Sequence, residues 1–244
     1  MVSVSDPPRV AGIVDWPSGS LEGSDLWRKR LTLPTYSVAE AARYSEAKAQ
    51  TIGYWFRGGQ TSPPTLPRRK AGERLNYFEA VEVAFVAVFR GYGVRLKNLR
   101  NARAYFQALL QTEYPFAAER FYTEGSRILR EWGDLQELSE FTEVVIGDEQ
   151  GQLAWAELLG ERFHTFDYEH GLALRWHVAG RSSPVQIDPR VSFGAPSVRG
   201  IPTWAMRGRK EAGESVEEIS EDFGLEACEV VAGLEFEGLE LEAA

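Results

Sequence analysis

Residues 77–90 (YFEAVEVAFVAVFR) constrain the fold more than any other segment, because they are almost uniformly apolar from Val81 onward. A segment that is apolar on every side must lie inside a hydrophobic core. A buried strand is one interpretation, since valine is abundant there. We favour a buried helix, because about 14 residues is long for a strand and no turn residue interrupts the run.

Residues 36–57, which precede this segment, predict two short helices. Ser37 is a suitable N-cap for the first helix, and Glu40 completes a capping box three residues later. Ser45 is the expected cap of the second helix, which Gly58 and Gly59 should end. The apolar positions that follow helical spacing in the two helices are Val38, Ala39, Ala41, Ala42, Tyr44, Ala49, Ile52, Trp55 and Phe56. A short break between two such helices predicts a helix-turn-helix.

The segment from Gln60 to Arg74, here named the basic loop, contains three prolines and the run RRK at 68–70. This composition excludes a helix and predicts a loop or β-wing. Beyond the apolar segment, residues 95–111 predict an amphipathic helix. Its polar side is expected to carry Arg95, Lys97, Arg100 and Arg103.

The rest of the chain predicts smaller elements. Residues 116–186 contain short apolar runs, such as 127–129 and 172–178, with a helix at 152–159 as one interpretation. Residues 187–203 are rich in Gly and Pro and predict extended segments and turns. Two helices follow at about 215–222 and 226–235, the first capped by Ser215 with Glu218 as its capping-box partner. The predicted fold class is therefore α+β.

Charge is distributed unevenly along the chain. Residues 28–120 carry 16 Lys/Arg against 7 Asp/Glu, whereas residues 121–244 carry 10 against 25. A basic N-terminal part is the electrostatic footprint of a polyanion binder. The acidic part, which includes 12 Asp/Glu and no Lys/Arg in residues 211–242, would repel DNA and favours a basic protein partner. Chance variation of solvated charge is the simpler alternative.

The second helix of the predicted helix-turn-helix is the strongest candidate site. Arg and Lys suit guanine or phosphate, and Gln suits adenine. The polar positions off its apolar stripe, together with the cations of the basic loop, give the DNA-binding candidates Lys48, Gln50, Thr51, Tyr54, Arg57, Arg68, Arg69, Lys70 and Arg74. The alternative is a helical corner whose polar face is simply hydrated.

Other chemistry has weak support in the sequence. A single cysteine, Cys228, excludes an internal disulfide and a Cys-rich zinc site, and we expect it to be a small buried hydrophobe. His164, His170 and His177 are irregularly spaced, so structural histidines are expected rather than a metal site. Phosphate-loop and nucleophile-elbow motifs are absent. We expect no cofactor and no enzymatic activity. We also expect neither a signal peptide nor a membrane span, so the expected location is the cytoplasm.

Residues 36–99 resemble the DNA-binding domain of MerR-type regulators. The matching segments are YSVAEAA at 36–42, TIGYW at 51–55, RLNYF at 74–78 and GVRLKNL at 93–99. The resemblance implies a winged helix-turn-helix. The family usually has an arginine where this chain has Gly53, which removes one expected DNA contact. The long dimerising coiled coil and the sensing cysteines of the family are also absent here.

The C-terminal segment resembles a short bacterial domain of uncharacterised function that recurs in antitoxins. The matching segments are IDP at 187–189, GAP at 194–196, GIPT at 200–203, AGESVEEI at 212–219 and DFGL at 222–225. With the MerR-like part, this combination is similar to large VapB-type antitoxins. That family resemblance implies neutralisation of a PIN-like ribonuclease toxin and repression of the shared operon.

The sequence therefore predicts four regions: a flexible N-terminal arm (1–30), a MerR-like DNA-binding domain (31–114), a middle α+β region (115–186) and an antitoxin-associated, helix-turn-helix-like helical module (187–244). The expected function is that of a type II antitoxin, a homodimer that binds operator DNA and a PIN-like toxin. The alternative is a stand-alone MerR-like regulator whose middle region binds a ligand. An enzyme that uses the histidines of the middle region is the least favoured interpretation.

Overall fold

The computed structural model of the protein describes residues 26–91, 93–119, 121 and 165–239. The helices are α1 (Leu26–Leu31), α2 (Val38–Ser45), α3 (Ala49–Arg57), α4 (Tyr77–Gly91), α5 (Leu96–Leu110), α6 (Thr203–Glu211), α7 (Val216–Phe223) and α8 (Ala227–Phe236). The strands are β1 (Phe166–Glu169), β2 (Leu172–Trp176), β3 (Ser197–Val198) and β4 (Ile201–Pro202). They form two antiparallel two-stranded sheets, so the α+β class is confirmed.

Several predictions concern residues outside these ranges. The arm up to residue 25, the apolar run at 127–129, the helix at 152–159 and His164 all lie outside the described residues. Within the described ranges, no helix combines the length and apolarity that crossing a bilayer requires.

The first helix of the pair α2–α3 begins as the sequence predicts, but the second helix begins at a different residue. The Ser37 hydroxyl accepts a hydrogen bond from the Glu40 N–H (3.1 Å), and the Ser37 N–H donates to the Glu40 carboxylate (2.6 Å), which confirms the capping box. Ser45 does not cap α3, because it lies in the last turn of α2, where its hydroxyl donates to the Ala41 carbonyl (2.6 Å). Instead, α3 begins after Lys48, without a side-chain cap.

Backbone hydrogen bonds join the basic loop to the helix pair at its middle and just after its end. Near the middle of the loop, the Leu66 N–H donates to the Trp55 carbonyl near the end of α3 (3.0 Å), and the Leu66 side chain is buried. After its end, Leu75 exchanges backbone hydrogen bonds with Tyr36, just before α2, at 2.6 and 2.8 Å. The loop is therefore held beside the helix pair, because the residues that flank its second half pair with Trp55 and Tyr36.

The apolar segment forms helix α4, as we favoured, and not a strand. All its residues from Tyr77 to Val86 are buried, including the carboxylates of Glu79 and Glu82. Arg103 of α5 is the partner of Glu82, with its Nε and Nη2 atoms 3.0 and 2.9 Å from Oε2. The prediction that Arg103 lies on the polar side of α5 is therefore wrong, because a buried carboxylate needs a cation inside the core.

The β1–β2 hairpin packs on the same core as the helices. Antiparallel pairing aligns Phe166 with Trp176, and their rings stack 5.2 Å apart. Phe166 also stacks on Phe85 of α4 at 5.5 Å. The strand predicted over 172–178 is thus present as β2. One continuous cluster of buried residues spans the described part of the chain from Leu31 to Ile187, so the core crosses the predicted region boundaries at 114/115 and 186/187.

Helices α6, α7 and α8 surround a second, smaller core. Its buried members are Val185, Val198, Met206, Ile219, Leu225, Val230 and Leu234. The predicted Ser215–Glu218 capping box is confirmed, with the Glu218 N–H donating to the Ser215 hydroxyl at 3.1 Å. Helix α6 is an element that the sequence analysis did not predict. Cys228 is exposed on α8 and is not the buried hydrophobe that we expected.

Candidate nucleic-acid interface

Helix α3 divides into a buried stripe and an exposed polar face. Ile52, Trp55 and Phe56 are buried, as their helical spacing predicts. The candidate residues at the start and on the outer face of this helix are exposed, namely Lys48, Gln50, Thr51, Tyr54 and Arg57. The amphipathic pattern therefore leaves the hydrogen-bonding side chains of α3 directed to solvent.

Arg57 occupies the space beside Gly53. A Cβ atom placed on Gly53 would lie 2.9 Å from Nη1 and 3.1 Å from Nη2 of Arg57, one helical turn away. The guanidinium of Arg57 therefore lies directly against Gly53. The surface beside Gly53 thus carries a cation, although glycine itself supplies no side chain.

Tyr54 is held against the turn that ends α3. Its ring atoms Cε2 and Oη lie 3.3 Å from the position that a Cβ atom on Gly59 would occupy. The residue is nevertheless 39% exposed. One part of the ring therefore lies close to this turn while the rest is exposed to solvent, and an aromatic side chain with a hydroxyl can both stack and donate a hydrogen bond.

The exposed cations of the basic loop are Arg68, Lys70 and Arg74. Arg74 is the most restrained, because its Nε donates to the Thr35 carbonyl (3.0 Å) and its Nη2 lies 3.5 Å from the Glu40 carboxylate. Its side chain is still 52% exposed. The backbone N–H of Lys70 donates to the Glu73 carboxylate (3.0 Å), which closes the turn at 70–73.

Arg69 does not extend into solvent with its neighbours. Its Nε and Nη2 donate to the two carboxylate oxygens of Glu79, and Nη1 donates to the Arg74 carbonyl. Glu79 is only 5% exposed and also accepts from the N–H of Asn76 at 2.8 Å. Arg69, which the sequence groups with the DNA-binding candidates, is therefore paired with a buried carboxylate at the start of α4 instead of extending into solvent.

A cleft of about 240 Å³ separates α3 from the basic loop. It brings together four of the nine candidate residues, which are Gln50, Arg57, Arg69 and Lys70. The other five candidates, Lys48, Thr51, Tyr54, Arg68 and Arg74, do not line this cleft. Glu73 also lines it, so its wall is not purely cationic.

The residues that position this surface were not among those predicted from the sequence. Asn76 and Glu79 cap the start of α4 reciprocally, with the Glu79 N–H donating to the Asn76 carboxamide oxygen at 2.9 Å. The Asn76 amide also donates to the Tyr114 hydroxyl at 2.9 Å. The spacing of Asn76 and Glu79 is that of a capping pair, so this local part could have been found. The Arg69–Glu79 pair could not have been predicted from the sequence, because it depends on how the loop returns to α4.

The histidines of the described residues do not form a metal site. His177 is buried, and its Nε2 lies 3.0 Å from Oδ2 of Asp167. Burial acts to raise the pKa of Asp167, but hydrogen bonds from His177 and Arg181 outweigh it and lower that pKa below its usual value. Across the described ranges, no group of three or more His, Cys, Asp or Glu side chains could hold a metal ion.

The acidic C-terminal module partly neutralises itself. Arg209 pairs with Glu214 and Asp222, and Arg199 pairs with Glu229 at 3.4 Å. Exposed carboxylates on and beside α7 and α8 include Glu217, Glu221, Glu226 and Glu235. The surface of this module also exposes two large aromatic side chains, Phe193 (73%) and Trp204 (63%).

A solved structure has a fold similar to that of this chain. The crystal structure of Rv2018 from Mycobacterium tuberculosis matches with a TM-score of 0.64 and 19% sequence identity, over 84% of this chain and 99% of Rv2018. Similarity at this level of identity shows a shared fold alone. No protein-family model matches the chain, and no curated protein matches it either.

Proposed function

We propose that the protein is a non-enzymatic antitoxin of a type II toxin-antitoxin system. In this proposal, the helix pair and the basic loop form a MerR-like winged helix-turn-helix that binds operator DNA. The acidic C-terminal half binds and neutralises a PIN-like ribonuclease toxin in the cytoplasm. The protein acts as a homodimer, because helix-turn-helix proteins usually bind two half-sites.

The exposed outer face of α3 is the observation that carries the DNA-binding half. A helix that enters the major groove needs donors and acceptors for base edges, with cations beside it for phosphates. Gln50 and Arg57 supply such base-contacting groups from one side of the cleft. Lys48 and the exposed loop cations supply the phosphate contacts. Arg69 contributes indirectly, because its pair with Glu79 positions the loop.

The charge distribution supports the toxin-binding half. A nuclease that binds RNA presents a basic surface, and a carboxylate-rich module can cover such a surface. Exposed aromatic side chains are common anchors in protein interfaces. Trp204 and Phe193 therefore provide apolar anchors within the acidic half, while the basic loop remains available for DNA.

The DNA-binding half is tested with a fluorescent duplex from upstream of the protein's own gene. We expect Arg68→Glu to weaken binding at least about tenfold, which corresponds to ~1.4 kcal/mol. The matched control is Lys97→Glu, which reverses an exposed cation on α5 and should leave affinity within about twofold. If the four exposed cations assigned to phosphates, Lys48, Arg68, Lys70 and Arg74, make these contacts, log Kd should change with log salt with a slope of about 3 to 4. Equal effects of the two variants contradict the proposed interface.

The toxin-binding half is tested by co-expression with the adjacent open reading frame. We expect the product of that frame to be a PIN-like ribonuclease that co-purifies with this chain and loses RNA cleavage in the complex. Trp204→Ala should weaken the complex by about 2 kcal/mol, as for an interface anchor. Leu109→Ala is the matched control, since Leu109 is an exposed apolar residue (44%) on α5. A neighbouring product that neither binds nor cleaves RNA contradicts the proposal.

A further inference from the structure

Helix α1, which precedes the helix pair, carries three successive cations, Arg28, Lys29 and Arg30. Leu31, the next residue, is buried in the main core, and α1 packs beside α4. The turn after α1 is closed by the Leu33 N–H, which donates to the Arg30 carbonyl at 3.2 Å. The cations of α1 therefore belong to an element that is fixed on the body of the protein.

Two of these cations have no carboxylate partner. Lys29 is exposed and Arg30 is half-buried. Within the described part of the chain, neither side chain forms an ion pair with Asp or Glu. In the C-terminal module, by contrast, Arg209 pairs with two carboxylates. Cations without an internal partner give up no ion pair when they bind an external anion, so their charge is available to a polyanion.

Phe193 holds Arg30 at the surface. The guanidinium carbon of Arg30 lies 4.4 Å from the centroid of the Phe193 ring, within the range of a cation–π contact. Ser192 and Phe193 both have a left-handed backbone (φ 45° and 56°), which is unfavourable for residues that carry a Cβ atom. The Phe193 residue is 73% exposed. The ring therefore restrains the guanidinium without drawing it into the core, which lowers the entropy that Arg30 loses on binding.

The surface of α1 adjoins the end of the basic loop. Arg74, one of the proposed phosphate contacts, donates from Nε to the Thr35 carbonyl at 3.0 Å. Thr35 follows Arg30 by five residues, so their Cα atoms lie at most about 18 Å apart. Tyr36 makes a second connection, because its hydroxyl donates to the carbonyl of Gly194, next to the ring beside Arg30. A distance of about 18 Å corresponds to about five base pairs along a duplex.

We propose that Lys29 and Arg30 contact phosphates of the operator duplex beyond those that α3 and the basic loop reach. This inference rests on the proposed DNA-binding function and extends its surface to α1. The charge of the surface favours DNA as its occupant, since a basic toxin surface would be repelled. Two further phosphate contacts raise the expected salt slope from about 3 to 4 to about 5.

The test compares the parent with the double variant Lys29→Gln/Arg30→Gln on the fluorescent duplex, at several salt concentrations. At low salt, we expect the variant to bind at least about fivefold more weakly, with a salt slope smaller by about 2. The matched control is Lys97→Gln/Arg100→Gln on α5, which removes the same charge from one exposed and one half-buried residue. The control should keep the slope of the parent. An unchanged slope in the α1 variant, or equal losses in both variants, overturns the inference.

Hydroxyl-radical footprinting at saturating protein locates the contact. The parent should protect about one or two sugar positions at the edge of its footprint that the α1 double variant leaves open, while the rest of the footprint stays the same. Identical footprints of the two proteins overturn the assigned place of α1 on the duplex.

Phe193→Leu tests how Arg30 is positioned, because it removes the ring and keeps an apolar side chain. It should weaken DNA binding about two- to threefold in the parent and have no effect in an Arg30→Gln background, as expected for coupled residues. Equal effects in both backgrounds would show that Phe193 does not act through Arg30.

Failure of this inference can be distinguished from failure of the proposed function. A parent that does not bind the duplex contradicts the proposed function. A parent that binds, with an affinity and slope that the α1 substitutions leave unchanged, retains the proposed function and overturns the inference. Unchanged DNA binding together with a weaker toxin complex assigns α1 to the protein partner and overturns the inference as well.

Discussion

At the scale of single residues, the structure separates cations by what they face. Arg68 and Lys70 are exposed, whereas Arg69 between them turns inward to Glu79. The three side chains are adjacent in the sequence and similar in chemistry, so composition alone cannot assign different roles to them. Only the return of the basic loop to the start of α4 makes this distinction.

We predict that Arg69→Glu lowers mainly the stability of the protein, whereas Arg68→Glu lowers mainly its affinity for DNA. Arg69→Glu places a second carboxylate beside buried Glu79 and should lower the free energy of unfolding by about 2–4 kcal/mol. Arg68→Glu should change it by less than about 0.5 kcal/mol and should act on DNA affinity. Urea denaturation followed by tryptophan fluorescence measures both values.

Arg69→Ala removes the ion pair with Glu79 without adding the repulsion that a glutamate at this position introduces. Combined with Glu79→Gln in a double-mutant cycle, it should give an interaction free energy of about 1–3 kcal/mol. An interaction free energy near zero would show that Arg69 and Glu79 do not support each other. In that case, Arg69 would return to the set of free loop cations.

Glu82 predicts a pH dependence of stability. Its complete burial raises its pKa to about 7, although Arg103 acts in the opposite direction. The folded-state pKa is higher than the unfolded-state value, so the folded protein binds the proton more tightly. Stability due to this group is therefore highest below the unfolded-state pKa and falls as the pH rises towards 7.

The measurement compares the parent with Glu82→Gln in urea at pH 5, 6, 7 and 8. The free energy of unfolding of the parent should fall relative to that of the variant between pH 5 and 8, and groups common to both proteins cancel. A difference that is constant with pH would mean that Arg103 keeps Glu82 ionised throughout this range.

At the scale of elements, local signals predicted some helices and not others. The Ser37–Glu40 and Ser215–Glu218 boxes mark the starts of α2 and α7, because both partners of a capping box lie within one turn. Helix α6 lacks a side-chain cap and buries only Thr203 and Met206. Its helical structure depends on packing against α7 and α8, which the sequence does not show locally.

The candidate site, too, was predictable from the sequence only in its local part. The exposed face of α3 could be predicted from spacing, because the apolar stripe of one helix determines its opposite face. The cleft between α3 and the basic loop could not, since it requires the pairing of Leu75 with Tyr36. The burial of Arg103 and Cys228 was predicted wrongly. Arg103 was expected on the polar side of α5 and is buried, because Glu82 is its partner, whereas Cys228 was expected to be buried and is exposed on α8.

The two serines of α2 give a prediction at this scale. Ser37→Ala removes the acceptor for the Glu40 N–H and should cost about 1 kcal/mol of stability. Ser45→Ala removes a hydroxyl bonded to the carbonyl of Ala41, four residues earlier, and should cost clearly less, because that bond does not cap a helix. Both variants are measured by urea denaturation, with Ser215→Ala as the matched capping-box variant. Equal costs at Ser37 and Ser45 would contradict the observed cap.

At the scale of the whole molecule, aromatic contacts join parts of the chain that the sequence divides. Tyr44 of α2 lies edge to face with Trp176 of β2 and stacks on Phe236 of α8 at 6.2 Å. The Tyr36 hydroxyl donates to the carbonyl of Gly194 at 2.9 Å. The basic surface and the acidic module therefore share a common support, although their charges suit different partners.

This shared core changes what a deletion can achieve. The charge pattern alone suggests that a fragment starting near Phe121 keeps partner binding and loses only DNA binding. Phe121, however, is buried against Phe85, Phe106 and Phe116. Residues after it, such as Trp176, pack on helices that the fragment lacks. Such a fragment exposes a large apolar surface, so we expect it to aggregate or remain partly folded.

The full chain should therefore unfold as one cooperative unit. We predict that far-ultraviolet circular dichroism and tryptophan fluorescence give coincident urea transitions. Phe236→Ala removes the aromatic contact between α8 and Tyr44. It should lower the free energy of unfolding by about 2–3 kcal/mol and therefore shift the midpoint of this single transition to lower urea concentration. The smaller core around Met206 offers the alternative, in which the C-terminal module unfolds separately. Two resolved transitions, with only one shifted by Phe236→Ala, would show that the two cores are energetically independent and that the predicted boundary at 186/187 divides the chain.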